Sequence, residues 1–286
     1  MKSRNTIGYL KVFLCGMLMG IADAIPGVSG GTIALLLGIY EELISSISNI
    51  KINLFHDLKN NGIKYCWNKI NGNFLFSLSF GVLISLVSFV KIFSLLIQKY
   101  PLLIWSFFLG LILATLFVIY RNIKKWNIIN FILIFIFACL TALLTITSPN
   151  TNENIHLFYI LICGIIASSA MILPGISGSL ILVILGVYSL IISALDNLEY
   201  NIILVFLIGC IIGIINFSKI IKWLFDKYRD YTFSIMLGLV IGSVYKVWPW
   251  TKSNIDDLSN KYILLSILIT FIGFILIYTL EKISKK

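Results

Sequence analysis

Long apolar runs alternate with short polar joints along the whole chain. Ten apolar segments can be drawn, at 7–25, 32–48, 74–98, 101–120, 128–147, 156–173, 178–195, 201–221, 231–248 and 262–280. Several approach the ~20 residues that an α-helix needs to cross the hydrocarbon core of a bilayer. The pattern predicts an all-α polytopic membrane protein. The second and seventh segments are shorter. Each is joined to the one before it by a stretch that a straight membrane helix would not contain: IPGVSGG from Ile25 to Gly31, and LPGISGS from Leu173 to Ser179. Such a joined pair either crosses the membrane twice or enters and leaves on one side as a re-entrant hairpin. Both return the chain to the side from which it started.

The two stretches belong to a longer internal repeat. At an offset of 148, Cys15, Gly16, Ala22, Pro26, Gly27, Ser29, Gly30, Ile33, Leu37, Gly38, Tyr40, Ile44 and Ser45 meet identical residues. At an offset of 128, Gly81, Phe89, Lys91, Lys99-Tyr100, Ser106 and Leu109-Gly110-Leu111 do the same. The offsets differ because the first half carries the longer joint 49–73. Apolar matches arise by chance in such a chain; ordered matches of Pro, Gly, Ser, Lys and Tyr do not. Residues 1–147 and 148–286 therefore read as two repeats within one membrane domain. Each holds a Pro-Gly-broken hairpin plus three transmembrane helices, an odd number of crossings. The second copy is then upside down relative to the first. Inverted repeats with interrupted helices at matching places mark transporters, and their site lies where the breaks meet.

Composition agrees. Hydrophobic residues make up 59% of the chain and charged residues 12%, too few to cover a soluble domain. The net charge of +10 lies in short joints and tails, which argues against nucleic acid. The joints 49–73, 121–127 and 222–230 and the C-terminal tail hold most of the lysines and arginines, so the pattern predicts a multi-pass protein with both ends in the cytoplasm. Lys91 and Lys99 run against that bias. The joint 49–73, with Tyr65 and Trp67 among lysines, is expected to lie on the cytoplasmic surface. Lys2, Arg4 and Lys11 before an apolar run ending in Ala22-Asp23-Ala24 resemble a removable leader. The same run recurs with its Pro-Gly stretch deep in the chain, so it reads as a membrane helix. Neither the cysteines nor the two histidines form a metal-like or catalytic spacing, so no metal and no cofactor is expected.

The breaks carry the chemistry. Pro26 and Pro174 remove a backbone N–H and disfavour helix just before them. Gly27 and Gly175 allow the chain to turn there. A new helix beginning near Ser29–Thr32, or near Ser177–Ser179, has first N–H groups without carbonyl partners. Lipid offers them no water. Ser29 or Thr32 can cap locally, and the remaining donors at the positive helix end suit a phosphate or carboxylate. Ser29, Gly30, Gly31, Thr32, Ser177, Gly178 and Ser179 are thus the candidate substrate contacts. The alternative is a pair of packing kinks. Lys91 and Lys219, matched across the repeat, can each reach a phosphate or extend from a helix end to the interface. Asp23, just before the first break, needs a partner, a proton or water, since a charge at the bilayer centre costs roughly 2.5–3.5 kcal/mol. Asp23 and Glu41 are the candidate coupling groups, with protons as the coupled ion; the alternatives are that Asp23 bonds backbone donors exposed by the break and that Glu41 and Glu42 reach an interface. Asp23 faces Met171 in the second repeat.

The stretches GIADAIPGVSGGTIALLLGIYEELI and MILPGISGSLILVILGVYSLI resemble the bacterial polyprenyl-phosphate transporter family, PopT, over essentially the whole chain from Gly16 onward. The resemblance implies movement of undecaprenyl phosphate across the bacterial cytoplasmic membrane, from the outer to the inner leaflet, for re-use in cell-envelope synthesis. It implies a lipid phosphate as substrate, with membrane lipids around the tail. The residues alone leave a second reading open, transport of a small soluble anion at the same helix ends. No nucleophile–base pair or acidic cluster of the kind a phosphatase needs is present in the pattern.

Overall fold

The computed structural model describes residues 4–23, 29–51, 53–146, 156–251 and 260–284. Among them there are helices and no strand. In chain order they are α1 (Thr6–Asp23), α2 (Gly30–Leu36), α3 (Tyr40–Ser48), α4 (Asn53–Lys69), α5 (Gly72–Lys99), α6 (Pro101–Asn122) and α7 (Ile128–Ile146). Then come α8 (Leu157–Ile172), α9 (Gly178–Ile184), α10 (Tyr188–Asp196), α11 (Tyr200–Lys227), α12 (Arg229–Val247), a 3₁₀ turn at Pro249–Thr251, and α13 (Asn260–Ser284). Six helices (α1, α5, α6, α7, α11 and α13) are long and apolar enough to cross a membrane, and up to eight spans result if each bent pair is counted as one. The chain is a multi-pass membrane protein.

The second and seventh apolar segments are each two helices. α2 meets α3 at a bend of 117°, and α9 meets α10 at 109°. The turning residues are Gly38 (φ 70°) and Gly186 (φ 74°). This left-handed backbone is cheap only for glycine, which explains why both are matched across the repeat. A seven-residue helix is roughly 10 Å long, a third of the ~30 Å hydrocarbon core. Neither α2 nor α9 can cross alone. The sequence pattern located the Pro-Gly breaks but read each following segment as one continuous run. Hydropathy does not register a bend between two apolar helices.

Four helix pairs hold the bundle together: α1 with α5, α8 with α11, α6 with α13, and α7 with α12. Each is packed through glycine. A Cβ on Gly16 of α1 would lie 2.1 Å from the Leu78 carbonyl of α5, and one on Gly209 of α11 would lie 2.3 Å from the Leu161 carbonyl of α8. Such contacts need backbones side by side, the small-residue packing that drives association of helices in lipid. All residues of α2 are buried. A helix apolar on every side belongs inside a bundle, and α2 lies in the main core with Tyr40, Phe108, Phe225, Phe233 and Met236.

Two further differences from the sequence pattern concern polar stretches. Residues 53–69, expected as a surface joint, are helical with a turn at Gly62 (φ 76°). α11 runs six residues beyond its apolar segment, to Lys227, because lysine, aspartate and leucine sustain a helix as well as apolar residues do. The boundary expected at 147/148 lies outside the described residues.

Candidate functional site

The two breaks touch each other, and hydroxyl groups join them. Ser29 caps α2 from an extended conformation, and its Oγ accepts the Gly31 N–H at 3.1 Å. The same hydroxyl reaches across to the Met171 and Leu173 carbonyls at 3.1 and 3.3 Å. The Tyr40 hydroxyl donates to the Ile172 carbonyl at 3.1 Å. Thr32 Oγ1 accepts the Gly175 N–H at 3.1 Å. These carbonyls end α8, where a helix has no internal donors left. Inside lipid each would be costly if unpaired, and the Ser29 and Tyr40 hydroxyls of the first half supply the bonds.

Close approach makes this possible. A Cβ on Gly31 would lie 2.5 Å from the Ile172 carbonyl, so only glycine lets α2 lie against the end of α8. Gly175 has φ 88°, and a Cβ there would meet Leu239 and Val240 of α12 at 2.9 Å. The second break is therefore held between α2 on one side and α12 on the other. Pro174 is buried.

Asp23 ends α1 directly beside the start of α2. Its Oδ1 accepts the Gly30 N–H at 2.6 Å, and a Cβ on Gly30 would strike the carboxylate at 2.4 Å. A carboxylate at a helix N-terminus is favourably placed. No ion pair joins Asp23 to a described cation. The first donors of α2 are thus taken internally, by Asp23 and Ser29. The second break differs. Ser177 makes no capping bond; its Oγ lies 2.7 Å from Ser179 Oγ. The Gly178 and Ser179 N–H groups bond to no described residue.

The remaining expected residues lie elsewhere. Lys219 Nζ lies 3.5 Å from Asn216 Oδ1 on its own helix, and no bond ties it to either break. Glu41 is in an exposed bidentate pair with Arg229, at 2.6 and 2.9 Å. Pro26, Gly27 and the side chain of Lys91 lie outside the described residues. Among the described residues no group of His, Cys, Asp or Glu could hold a metal ion.

Sequence reasoning left out Tyr40, whose ring is 1% exposed and packs edge-on against Phe225 at 5.9 Å. It named Glu41 as a coupling candidate but did not foresee the ion pairs of the two charges beside Tyr40. Glu42 binds Arg4 through both oxygens, at 2.5 and 2.6 Å, and accepts from Asn71 at 2.9 Å. Pairing with Glu42 raises the Arg4 pKa, outweighing its partial burial, and Glu41 does the same for Arg229. Tyr40-Glu41-Glu42 thereby links α1, α5, α8 and α12. The signal for Tyr40 was available, since Gly38 and Tyr40 meet Gly186 and Tyr188 in the repeat.

Fold and site together define a multi-pass membrane protein whose two broken helices meet inside the bundle. Residues 19–262 match the family model described as undecaprenyl phosphate translocase-like (VCA0040-like), and the chain belongs to that family. A polyprenyl-phosphate transporter of Vibrio cholerae serotype O1 is 40% identical over 249 residues, covering 87% of this chain and 80% of that protein. A polyprenyl-phosphate transporter of Staphylococcus aureus is 33% identical over 289 residues, covering 95% of each. No solved structure matches the chain.

Proposed function

We propose that the protein moves undecaprenyl phosphate across the bacterial cytoplasmic membrane, from the outer to the inner leaflet, with both termini in the cytoplasm. The observation that carries this reading is the direct meeting of the two breaks, Ser29, Thr32 and Tyr40 against Met171–Gly175, in a chain of this family. The two halves act as inverted repeats, and α2–α3 and α9–α10 are re-entrant hairpins that move against each other. Transfer of the lipid needs positioning of a charge and no bond chemistry.

In the closed arrangement Asp23 occupies the Gly30 N–H of α2 as an internal anion. The phosphate head group binds when the breaks separate. It takes the Gly30 and Gly31 N–H groups and the Ser29 and Thr32 hydroxyls on one side, and Ser177, Gly178 and Ser179 on the other. Protonation of Asp23 releases the Gly30 N–H to the phosphate, which couples proton and lipid movement. Lys219 lies along the route rather than at its centre. The polyprenyl tail runs outside, in a groove of ≈ 630 Å³ lined by Leu113, Phe117, Leu237, Ile241, Phe271 and Phe274. α12 borders both this groove and the second break, with Leu237 and Ile241 in the groove and the Leu239–Val240 backbone against Gly175.

The test is leaflet exchange of undecaprenyl phosphate in vesicles holding the purified protein, under an imposed pH gradient. Exchange should exceed that of protein-free vesicles, respond to the gradient, and lose that response in Asp23→Asn. Equal exchange with and without protein would overturn the transport reading. An unchanged gradient response in Asp23→Asn would overturn the coupling role alone. Inhibition by inorganic phosphate as strong as by the lipid would favour a soluble anion as substrate.

A further inference from the structure

The first half carries an element without counterpart in the second. α3 is followed by α4 before α5 begins, whereas α10 leads to α11 through three residues. α4 is two short helical limbs folded back at Gly62. The fold is closed on its inner side, where Lys69 Nζ pairs with Asp57 Oδ2 at 2.5 Å and Cys66 Sγ donates to the Leu54 carbonyl at 3.6 Å. Its end is fixed to the membrane span that follows. The Trp67 ring fills the space over Gly72, the first residue of α5, and its Nε1–H donates to Asn73 at 2.8 Å. Asn49 donates to the Lys69 carbonyl at 3.1 Å. Two residues separate α4 from α5, so α4 is held at the level where that span leaves the hydrocarbon.

The outer surface of this hairpin combines apolar and basic groups. Ile63 at the turn is 76% exposed, Leu58 43%, Tyr65 47% and Trp67 40%. Lys51, Lys59 and Lys64 are exposed and pair with no described acid. The single acidic residue of α4, Asp57, is taken by Lys69. Exposed isoleucine, leucine and aromatic rings beside unpaired lysines suit one surroundings: the boundary between acyl chains and anionic headgroups. Aromatic rings favour that depth.

We infer that the α4 hairpin is a docking surface for the anionic leaflet on its side of the membrane, with Leu58 and Ile63 inserted and Lys51, Lys59 and Lys64 on the headgroup phosphates. Each lysine near such a surface strengthens binding roughly fivefold.

The full-length protein is placed in nanodiscs of phosphatidylcholine with or without phosphatidylglycerol. Chymotrypsin cleavage at Leu58, Tyr65 and Trp67 is followed by mass. Because Lys59 and Lys64 flank two of these sites, each variant is compared with its own rate in phosphatidylcholine alone. Phosphatidylglycerol should slow cleavage by about tenfold or more, given the fivefold effect per lysine. Lys51→Gln/Lys59→Gln/Lys64→Gln should abolish the protection without altering thermal stability in detergent. Ile63→Asp should weaken it with all lysines present, and high salt should reduce it. Equal cleavage in both lipids, or protection that survives the triple substitution, overturns the inference. Protection seen in native membranes and absent from both nanodiscs also overturns it, and points to a protein partner.

Discussion

The first break and the second are built from nearly the same residues and do different things. In the described part of the first, Gly30 N–H goes to Asp23, Gly31 N–H to Ser29, and the Ser29, Thr32 and Tyr40 side chains reach outward. The second meets them with the Met171, Ile172 and Leu173 carbonyls and the Gly175 N–H, while among the described residues Ser177 Oγ pairs with Ser179 Oγ alone. The two stretches, alike in sequence, form a clasp and the part it holds. Thr32, which accepts the Gly175 N–H, aligns with Leu180, and four further positions differ. Asp23 faces Met171, Gly31 faces Ser179, and Glu41-Glu42 face Ser189-Leu190. Substitutions at paired positions should therefore have unequal effects.

Gly31 gives the largest contrast. Its missing side chain is what lets α2 approach the end of α8. Gly31→Leu should drive atoms into the Ile172 carbonyl, cost about 3 kcal/mol or more, and abolish leaflet exchange. At the matching position Ser179→Ala should change stability by less than about 0.5 kcal/mol. Thermal unfolding in a fixed detergent and exchange in vesicles measure both. Similar losses at the two positions would contradict the unequal clasp.

The serines come next. Ser29→Ala removes a bond from the Gly31 N–H and two from the ends of α8, all away from water. One buried unpaired group costs about 1–3 kcal/mol, so a loss in that range is expected. Ser177→Ala removes one hydroxyl pair and should cost less than half as much. If Ser177→Ala nevertheless stops exchange while leaving the melting temperature unchanged, the second break contacts the head group and the first mainly holds it.

Tyrosines at the hairpin turns extend the contrast. Tyr40→Phe keeps the ring against Phe225 and loses the bond to Ile172, at about 1 kcal/mol. The Tyr188 side chain is 41% exposed and its hydroxyl bonds to no described residue, so Tyr188→Phe should be near neutral. Paired melts of the two variants decide this; a neutral Tyr40→Phe would remove tyrosine from the clasp.

Much of this was legible in the residues. Ten apolar runs matched the helices to within a few residues at most ends, because a span must satisfy its own backbone and hydropathy follows. The Pro-Gly stretches marked the breaks. Their meeting was expected from the repeat, and Ser29, Gly31 and Thr32 are at the contact. What the pattern did not carry was partnership. Nothing in the sequence pairs Ser29 with Met171 and Leu173, which lie over 140 residues away. That Asp23 bonds backbone donors exposed by the break was one of the two readings of its position, and Gly30 N–H is the donor it takes. Free donors were the expectation at both breaks, yet only the second leaves them free of described partners. The bends at Gly38 and Gly186 were hidden because both sides of each turn are apolar. α4 was hidden for the opposite reason, since polar helices look like joints.

Glu41 provides the smallest effect and the finest discrimination. Its pair with Arg229 joins α3 to α12, and both side chains are nearly half exposed, at 49% and 45%. The neighbouring pair of Glu42 with Arg4 is less exposed, at 24% and 17%, and Asn71 supports it. Exposed ion pairs contribute below about 1 kcal/mol and weaken with salt. Glu41→Gln should therefore cost below about 1 kcal/mol, and the difference from the unsubstituted protein should fade at high salt. The pair also spans the two halves, so any opening of the breaks on that side must part it. Glu41→Gln should then raise leaflet exchange slightly at low salt while lowering stability. A parallel fall in both would mean that the pair only supports the fold, and that opening proceeds without separating α3 from α12.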